Sequence, residues 1–267
     1  MPSGLRAGFR TAWTDAGSGS RKALWIHCSL ARLGVWEGTL AGLANTYSST
    51  AFDMPGHGAA DPWNGGDGRD YQDVTAQIGL TFCDGPTHVI GHSFGATVAL
   101  RMALLRPDLI NALTLIEPVF FAVAHADDDP SYQGHVEDFE PFVAAIDRDD
   151  RVTAAQVFTD LWGGGRPWEK LPAKAQSYIT DRIHLIPAGA PAIEQDVHDV
   201  LGSGALERLD VPVTLIEGAK SPPVIAAIQS GLERRLPRAT RHIIDGAGHM
   251  APMTHPQAVA EIIRAVG

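Results

Sequence analysis

Cysteine is scarce: Cys28 and Cys83 are the two in a chain of 267 residues. Each lies in a segment that reads as buried, so a disulfide framework is not expected and a reducing cytoplasm fits. Basic charge is short as well. Lysine and arginine number 21 against 31 aspartates and glutamates, a formal net charge of −10. No basic block offers a phosphate footprint, which argues against a nucleic-acid partner. No run of about 18 apolar residues occurs, so no membrane-spanning helix is expected. The start lacks the basic residues and apolar core of a secretory signal. Metal-ligand spacing, a phosphate loop and a dinucleotide fingerprint are all missing, and no cofactor is expected. Internal repeats and low-complexity tracts are missing too. What these absences leave is a soluble, cytoplasmic chain, monomer or homodimer, with a small molecule as its partner. With 45% hydrophobic residues, the length suits one domain, or one domain carrying an inserted subdomain.

Strand and helix patterns alternate over the first part of the chain. Leu5 to Trp13 reads as a strand, as do Lys22 to Ile26 and Thr50 to Phe52. Helical spacing runs from Val35 to Tyr47 and from about Asp70 to Cys83, the latter after a Gly-rich flexible stretch, Asp61 to Gly68. Another strand pattern, Ile110 to Ile116, ends at Glu117-Pro118. This alternation predicts an α/β fold: a mostly parallel sheet with helices on both faces. After Pro118 the rhythm breaks. Helical segments at 141–146, 153–162 and 173–185 follow without a clear strand, in a stretch rich in Asp, Pro and Gly. Strands return at Val211 to Ile216 and Thr240 to Ile244, with helices at 223–236 and 256–266. Residues 1–117 and 201–267 are therefore expected to form the core, and 118–200 an inserted helical cap.

The informative stretch is Gly91-His92-Ser93-Phe94-Gly95, set between the apolar strand that begins at Thr87 and a helical pattern from Val98 to Leu105. A G-x-S-x-G between strand and helix places a serine on a sharp turn, with its hydroxyl above the sheet edge. The glycines keep Cβ atoms out of the crowded turn. The helix that starts after Ser93 adds its free N–H groups where negative charge develops. Other turns of interest are His27-Cys28-Ser29 after the strand at 22–26, Asp53-Met54-Pro55-Gly56-His57-Gly58, and Gly246-Ala247-Gly248-His249.

Taken together, these four pieces resemble the α/β-hydrolases of the capped, single-domain serine type, and the resemblance spans essentially the whole chain. It implies Ser93 as nucleophile and His249 as the base that takes its proton. His27, His57 and His92 are read as structural in their turns, and His255 as the start of a helix. The family order of serine, acid and histidine leaves the acid open. Many members carry an Asp three residues after a glycine that follows the strand at 211–216; here Gly218 is that glycine and the residue is Ser221. Other members carry a Glu at the end of the strand after the elbow helix, which here is Glu117. A glutamate at the mouth of an apolar strand is costly to bury without a partner, and pairing with His249 would account for it. Glu217 and a capping or surface role for Glu117 are the alternatives.

The resemblance further implies an oxyanion hole from the backbone of Phe94 and of Ser29. The family usually has a glycine where Cys28 stands, and Cys28 is read as a small buried side chain. Phe120 and Trp162 in the cap, and Met250 beside His249, are the candidate substrate-pocket residues. Phe121, Phe158 and Trp168 join them as cap aromatics, for which packing is the competing role. The implied activity is cofactor-free hydrolysis of a carboxylic ester or lactone through an acyl-enzyme. Hydrolysis of a carbon–carbon bond in a ring-fission product, a perhydrolase or haloperoxidase reaction, and a non-catalytic ligand-binding role are the competing expectations.

Overall fold

The computed structural model describes residues 1–65 and 68–266; of the expected flexible stretch 61–68, Gly66 and Asp67 lie outside the described residues. In chain order the strands are β1 (Ser3–Arg6), β2 (Phe9–Ala16), β3 (Arg21–Ile26), β4 (Tyr47–Phe52), β5 (Thr87–His92), β6 (Ile110–Ile116), β7 (Val213–Gly218) and β8 (Ala239–Ile244). The helices are α1 (Glu37–Leu43), α2 (Tyr71–Leu80), α3 (Phe94–Leu105), α4 (Phe121–Ala126), α5 (Pro130–Asp147), α6 (Arg151–Trp162), α7 (Ala173–Arg182), α8 (Ile186–Ile193), α9 (Pro223–Arg235), α10 (Ala251–Thr254) and α11 (Pro256–Val266).

All eight strands form one sheet in the order β1-β2-β4-β3-β5-β6-β7-β8. β3 to β8 pair in parallel, and only β1 and β2 run against their neighbours. Neighbouring residues of the central strands face opposite sides, as the two-residue strand period requires. Leu24, Val89 and Leu115 enter the core packed by α2, α3 and α9. Trp25, Ile90 and Ile116 enter the one packed by α1 and α11. Both faces being covered explains why β5 is buried along its whole length.

Two sequence expectations are corrected. The segment from Leu5 to Trp13 is not one strand but the β1–β2 hairpin. Ala7 and Gly8, at φ 49° and 80°, form its two-residue turn. Two consecutive positive φ values match the right-handed twist of the flanking strands, and Gly8 inside the apolar run was the available signal. Helix α1 stops at Leu43 rather than Tyr47, because Tyr47 opens β4. Its ring is buried and its hydroxyl meets His88 Nδ1 at 3.1 Å.

Between β6 and β7, the described residues hold helices α4 to α8 and no strand. α5 and α6 start at acidic caps. Asp129 and Asp150 accept from the backbone N–H of Ser131 and Thr153, and Pro130 takes the first helical position of α5. This segment has an apolar cluster of its own, built on Phe142, Ala154, Trp168 and Ile183.

Candidate active site

The parallel strands end at one edge of the sheet, and the candidate residues gather there. Ser93 follows β5 directly, at φ 56° and ψ −121°, a strained conformation for a residue with a Cβ. Its N–H still donates to Ile116 O at 2.8 Å, so the strand ladder holds the turn from one side. The flanking glycines are required by space. A Cβ on Gly91 would stand 2.1 Å from Gly95 O, and one on Gly95 would stand 2.4 Å from the carbonyl oxygens of Ile26 and His27.

Glu117 follows β6, likewise with positive φ (52°), and its side chain is fully buried. His249 lies on the loop after β8. Its Nε2 is 3.0 Å from Ser93 Oγ, and its Nδ1 is 3.0 Å from Glu117 Oε2. The other carboxylate oxygen, Glu117 Oε1, accepts from Gly218 N and from Ser221 Oγ, both at 2.6 Å. Ser221, at the position where the family resemblance predicts an aspartate, thus donates a hydrogen bond to Glu117. Three donors converge on this fully buried carboxylate, which is what a buried charge requires. Glu217 points elsewhere: its Oε1 takes 2.8 and 2.5 Å bonds from Arg241. Burial pushes the Glu217 carboxyl above its ordinary pKa against the pull of that arginine.

The turn after β3 is braced by two histidines. His57 Nε2 accepts from Leu30 N at 2.9 Å, and its Nδ1–H donates to Pro55 O at 3.0 Å. His27 Nε2 accepts from Met54 N at 3.0 Å and its Nδ1–H donates to Cys28 O at 2.7 Å. Burial lowers the pKa of both, so both are neutral. Asp53 ties the same region together, accepting from Leu33 N and Ala59 N. Ser29 borders the same cavity as Ser93. Phe94 N opens α3, where a helix has no carbonyl of its own to offer. Burial pushes the Cys28 thiol up to about 12, so it remains a protonated, inert group.

Above Ser93 lies a cavity of about 240 Å³, closed by the helices between β6 and β7. Trp162 lines it and packs in a T-shaped arrangement with the imidazole of His249, centroids 4.7 Å apart and planes at 67°. Phe121 and Phe158 line it too. Two expected pocket residues are elsewhere, and a third aromatic is core. Phe120 borders a separate small cleft beside Gln72, Thr97 and Leu100, because at that first turn it is Phe121 that faces the cavity. Met250 turns toward the loop after α6, close enough that a Cβ on Gly164 would meet it at 3.2 Å. Trp168 packs inside the helical segment's own cluster. Sequence reasoning did not single out Tyr71, His135 or Glu194, which also line the cavity. They come from α2, α5 and the end of α8, and nothing in their local sequence announces the meeting.

A family model described as the alpha/beta hydrolase fold matches residues 24–256 of this chain. An esterase of Mycobacterium tuberculosis is 25% identical, the match covering 98% of this chain and 87% of that protein. A pimeloyl-[acyl-carrier protein] methyl ester esterase of Neisseria meningitidis is 28% identical over 91% of this chain and 76% of its own. The solved structure of Est816, described as an N-acyl homoserine lactone degrading enzyme, superposes with a TM-score of 0.74 at 16% identity, covering 100% of both chains.

Proposed function

The chain belongs to the alpha/beta hydrolase fold family, and from that premise we propose that it hydrolyses a carboxylic ester or lactone through an acyl-enzyme on Ser93. The observation that carries the reading is the continuous relay from Ser93 Oγ through His249 to Glu117, each link 3.0 Å long. In it, Ser93 Oγ attacks the carbonyl carbon while His249 Nε2 takes the hydroxyl proton. Glu117 holds the imidazole with Nε2 free for this task and stabilises the imidazolium that forms. The N–H groups of Phe94 and Ser29 receive the oxyanion. The C–O bond then breaks as His249 returns its proton to the departing alcohol; in a lactone that alcohol stays attached to the acyl group. Water, deprotonated by the same histidine, attacks the acyl carbonyl; the bond to Ser93 Oγ then breaks as His249 returns the proton to that oxygen, and the acid leaves.

Residues 118–200 act as the cap over a core of 1–117 and 201–267. Their separate apolar cluster and their share of the cavity wall support that division. Relatives named as esterases, and a structural neighbour named for lactone degradation, make both substrate types worth testing. Ser93→Ala should abolish turnover of p-nitrophenyl butyrate and of a panel of γ-lactones, and remove covalent labelling by a fluorophosphonate. Stoichiometric labelling of that variant would overturn the assignment of Ser93.

A further inference from the structure

Most of the cavity wall is aliphatic or aromatic, and away from Ser29, Ser93 and His249 its charged or imidazole side chains are His135, Asp147 and Glu194. His135 projects from α5 with 8% of its surface exposed. Its ring lies flat on Phe121, centroids 4.1 Å apart and planes at 11°, and it meets Trp162 edge-on at 5.8 Å. Because Trp162 also packs on His249, one indole separates this histidine from the reacting centre. Also lining the cavity is Glu194, whose Oε1 is 3.7 Å from His135 Nε2. That is beyond hydrogen-bond reach. Among the described residues, no protein group hydrogen-bonds either ring nitrogen of His135.

Stability gives no reason for this arrangement. On α5, His135 shares a face with Phe139 and Phe142, and a third phenylalanine there would bury hydrocarbon without leaving polar atoms unmet. What the pair does offer is two polar atoms on the cavity wall, close enough together that one ligand atom lying beside them can be about 2.8 Å from each. Such an atom must satisfy a carboxylate, which only accepts, and an imidazole, which donates or accepts. A hydroxyl or an amide does both. An anion does not fit, since Glu194 and Asp147 are carboxylates and the described lining residues include no lysine or arginine.

We propose that His135 and Glu194 form a specificity subsite for a neutral hydroxyl or amide group, carried at the far end of an apolar arm of the ester. This rests on the ester-hydrolase reading above. The arm fills the aromatic-walled cavity, the polar end bridges the two side chains, and the scissile carbonyl reaches Ser93.

The test uses ester series of four to ten carbons in the arm, on the acyl side in one set and on the alcohol side in another. Each arm ends in methyl, hydroxyl, amide or carboxylate. In at least one set, the hydroxyl or amide ester should exceed the methyl ester in kcat/KM by about tenfold, and the carboxylate ester should be the poorest. His135→Phe keeps the ring stack and should erase the preference for the hydroxyl or amide ester over the methyl ester. Glu194→Gln should relieve the discrimination against the carboxylate. A ratio of hydroxyl to methyl that His135→Phe leaves unchanged overturns the subsite. Calorimetric binding of methyl 6-hydroxyhexanoate against methyl heptanoate to the Ser93→Ala protein, with and without His135→Phe, needs no turnover. If binding discriminates through His135 but no ester is ever hydrolysed, the subsite stands and the hydrolase reading falls. If esters are hydrolysed and neither binding nor rate discriminates, the reverse holds.

Discussion

At the scale of single residues, the acid of the proposed relay is the informative position. Gly91, Ser93, Gly95 and His249 are legible in sequence because their backbone geometry demands glycine or a fixed turn. A carboxylate is not so constrained, and two strand ends in this chain carry one. The structure separates them by what surrounds each: Glu117 holds three hydrogen bonds, one from His249, while Glu217 is spent on Arg241. As the proposed triad acid, Glu117 should tolerate no neutral replacement. Glu117→Gln is expected to lower kcat on an activated ester by roughly 10⁴-fold. Glu217→Gln leaves Arg241 partly buried without its carboxylate, so it should lower the melting temperature and leave kcat within a few-fold. Ser221→Ala removes one donor from Glu117 Oε1 and should cost about tenfold in kcat. A dead Glu217→Gln beside an active Glu117→Gln would reverse the assignment. Phe120 and Met250 failed as pocket residues for a related reason: in a tight turn, one residue of register decides which way a side chain points.

At the scale of elements, the alternation of strand and helix is readable because a strand buried on both faces is a short apolar run and a surface helix has a periodic stripe. What was not readable is where a run bends. Gly8 alone marks the hairpin at Ala7-Gly8, and one glycine inside an apolar run does not by itself tell a turn from a bulge; nothing local stops α1 before Tyr47. Contacts between distant elements are silent for the same reason, and one of them bears on the relay. Tyr178 of α7 reaches down from the helical segment. Its hydroxyl donates to Ala31 O at 2.8 Å and accepts from Gly58 N at 3.0 Å, with the Arg182 guanidinium over its ring. It therefore pins the turn that carries Ser29 to the turn that carries His57. Tyr178→Phe keeps the ring and removes both bonds. Because the oxyanion donor loses its brace while the cavity keeps its shape, kcat should fall by about tenfold with KM changed less than threefold. A rise in KM alone would mean that Tyr178 shapes the cavity and not the turn.

At the scale of the whole molecule, acidity sets two opposed effects against each other. The chain carries a formal charge of −10 with an isoelectric point near 5.5, so lowering the pH from 7 relieves self-repulsion and by itself stabilises the fold. The buried histidines act the other way. His88, between Tyr47 and Thr114, is lowered to about 4, and His92, which donates to His249 O, to about 3, in both cases by burial first. His27 and His57 are lowered by burial too, and each uses Nε2 to accept from a backbone N–H, a bond that a second ring proton destroys. Folded pKa values below the unfolded value of about 6.5 mean that the unfolded chain binds more protons below that pH. Stability is then fully present above pH 6.5 and is lost as the pH falls, each such histidine removing up to about 1.4 kcal/mol per pH unit. Paired carboxylates such as Asp127, lowered by Arg235, contribute their loss only further down, below about pH 4. Glu217, raised by burial, has the opposite sign and offsets part of the histidine effect. Four groups against one give the net direction. The urea midpoint should fall steadily from pH 6.5 to pH 5, although net charge is then shrinking toward zero. His88→Gln removes one of the titrating groups and should flatten that slope by up to one proton's worth. A midpoint that holds or rises over this interval would mean that charge repulsion, not the buried imidazoles, governs acid stability here.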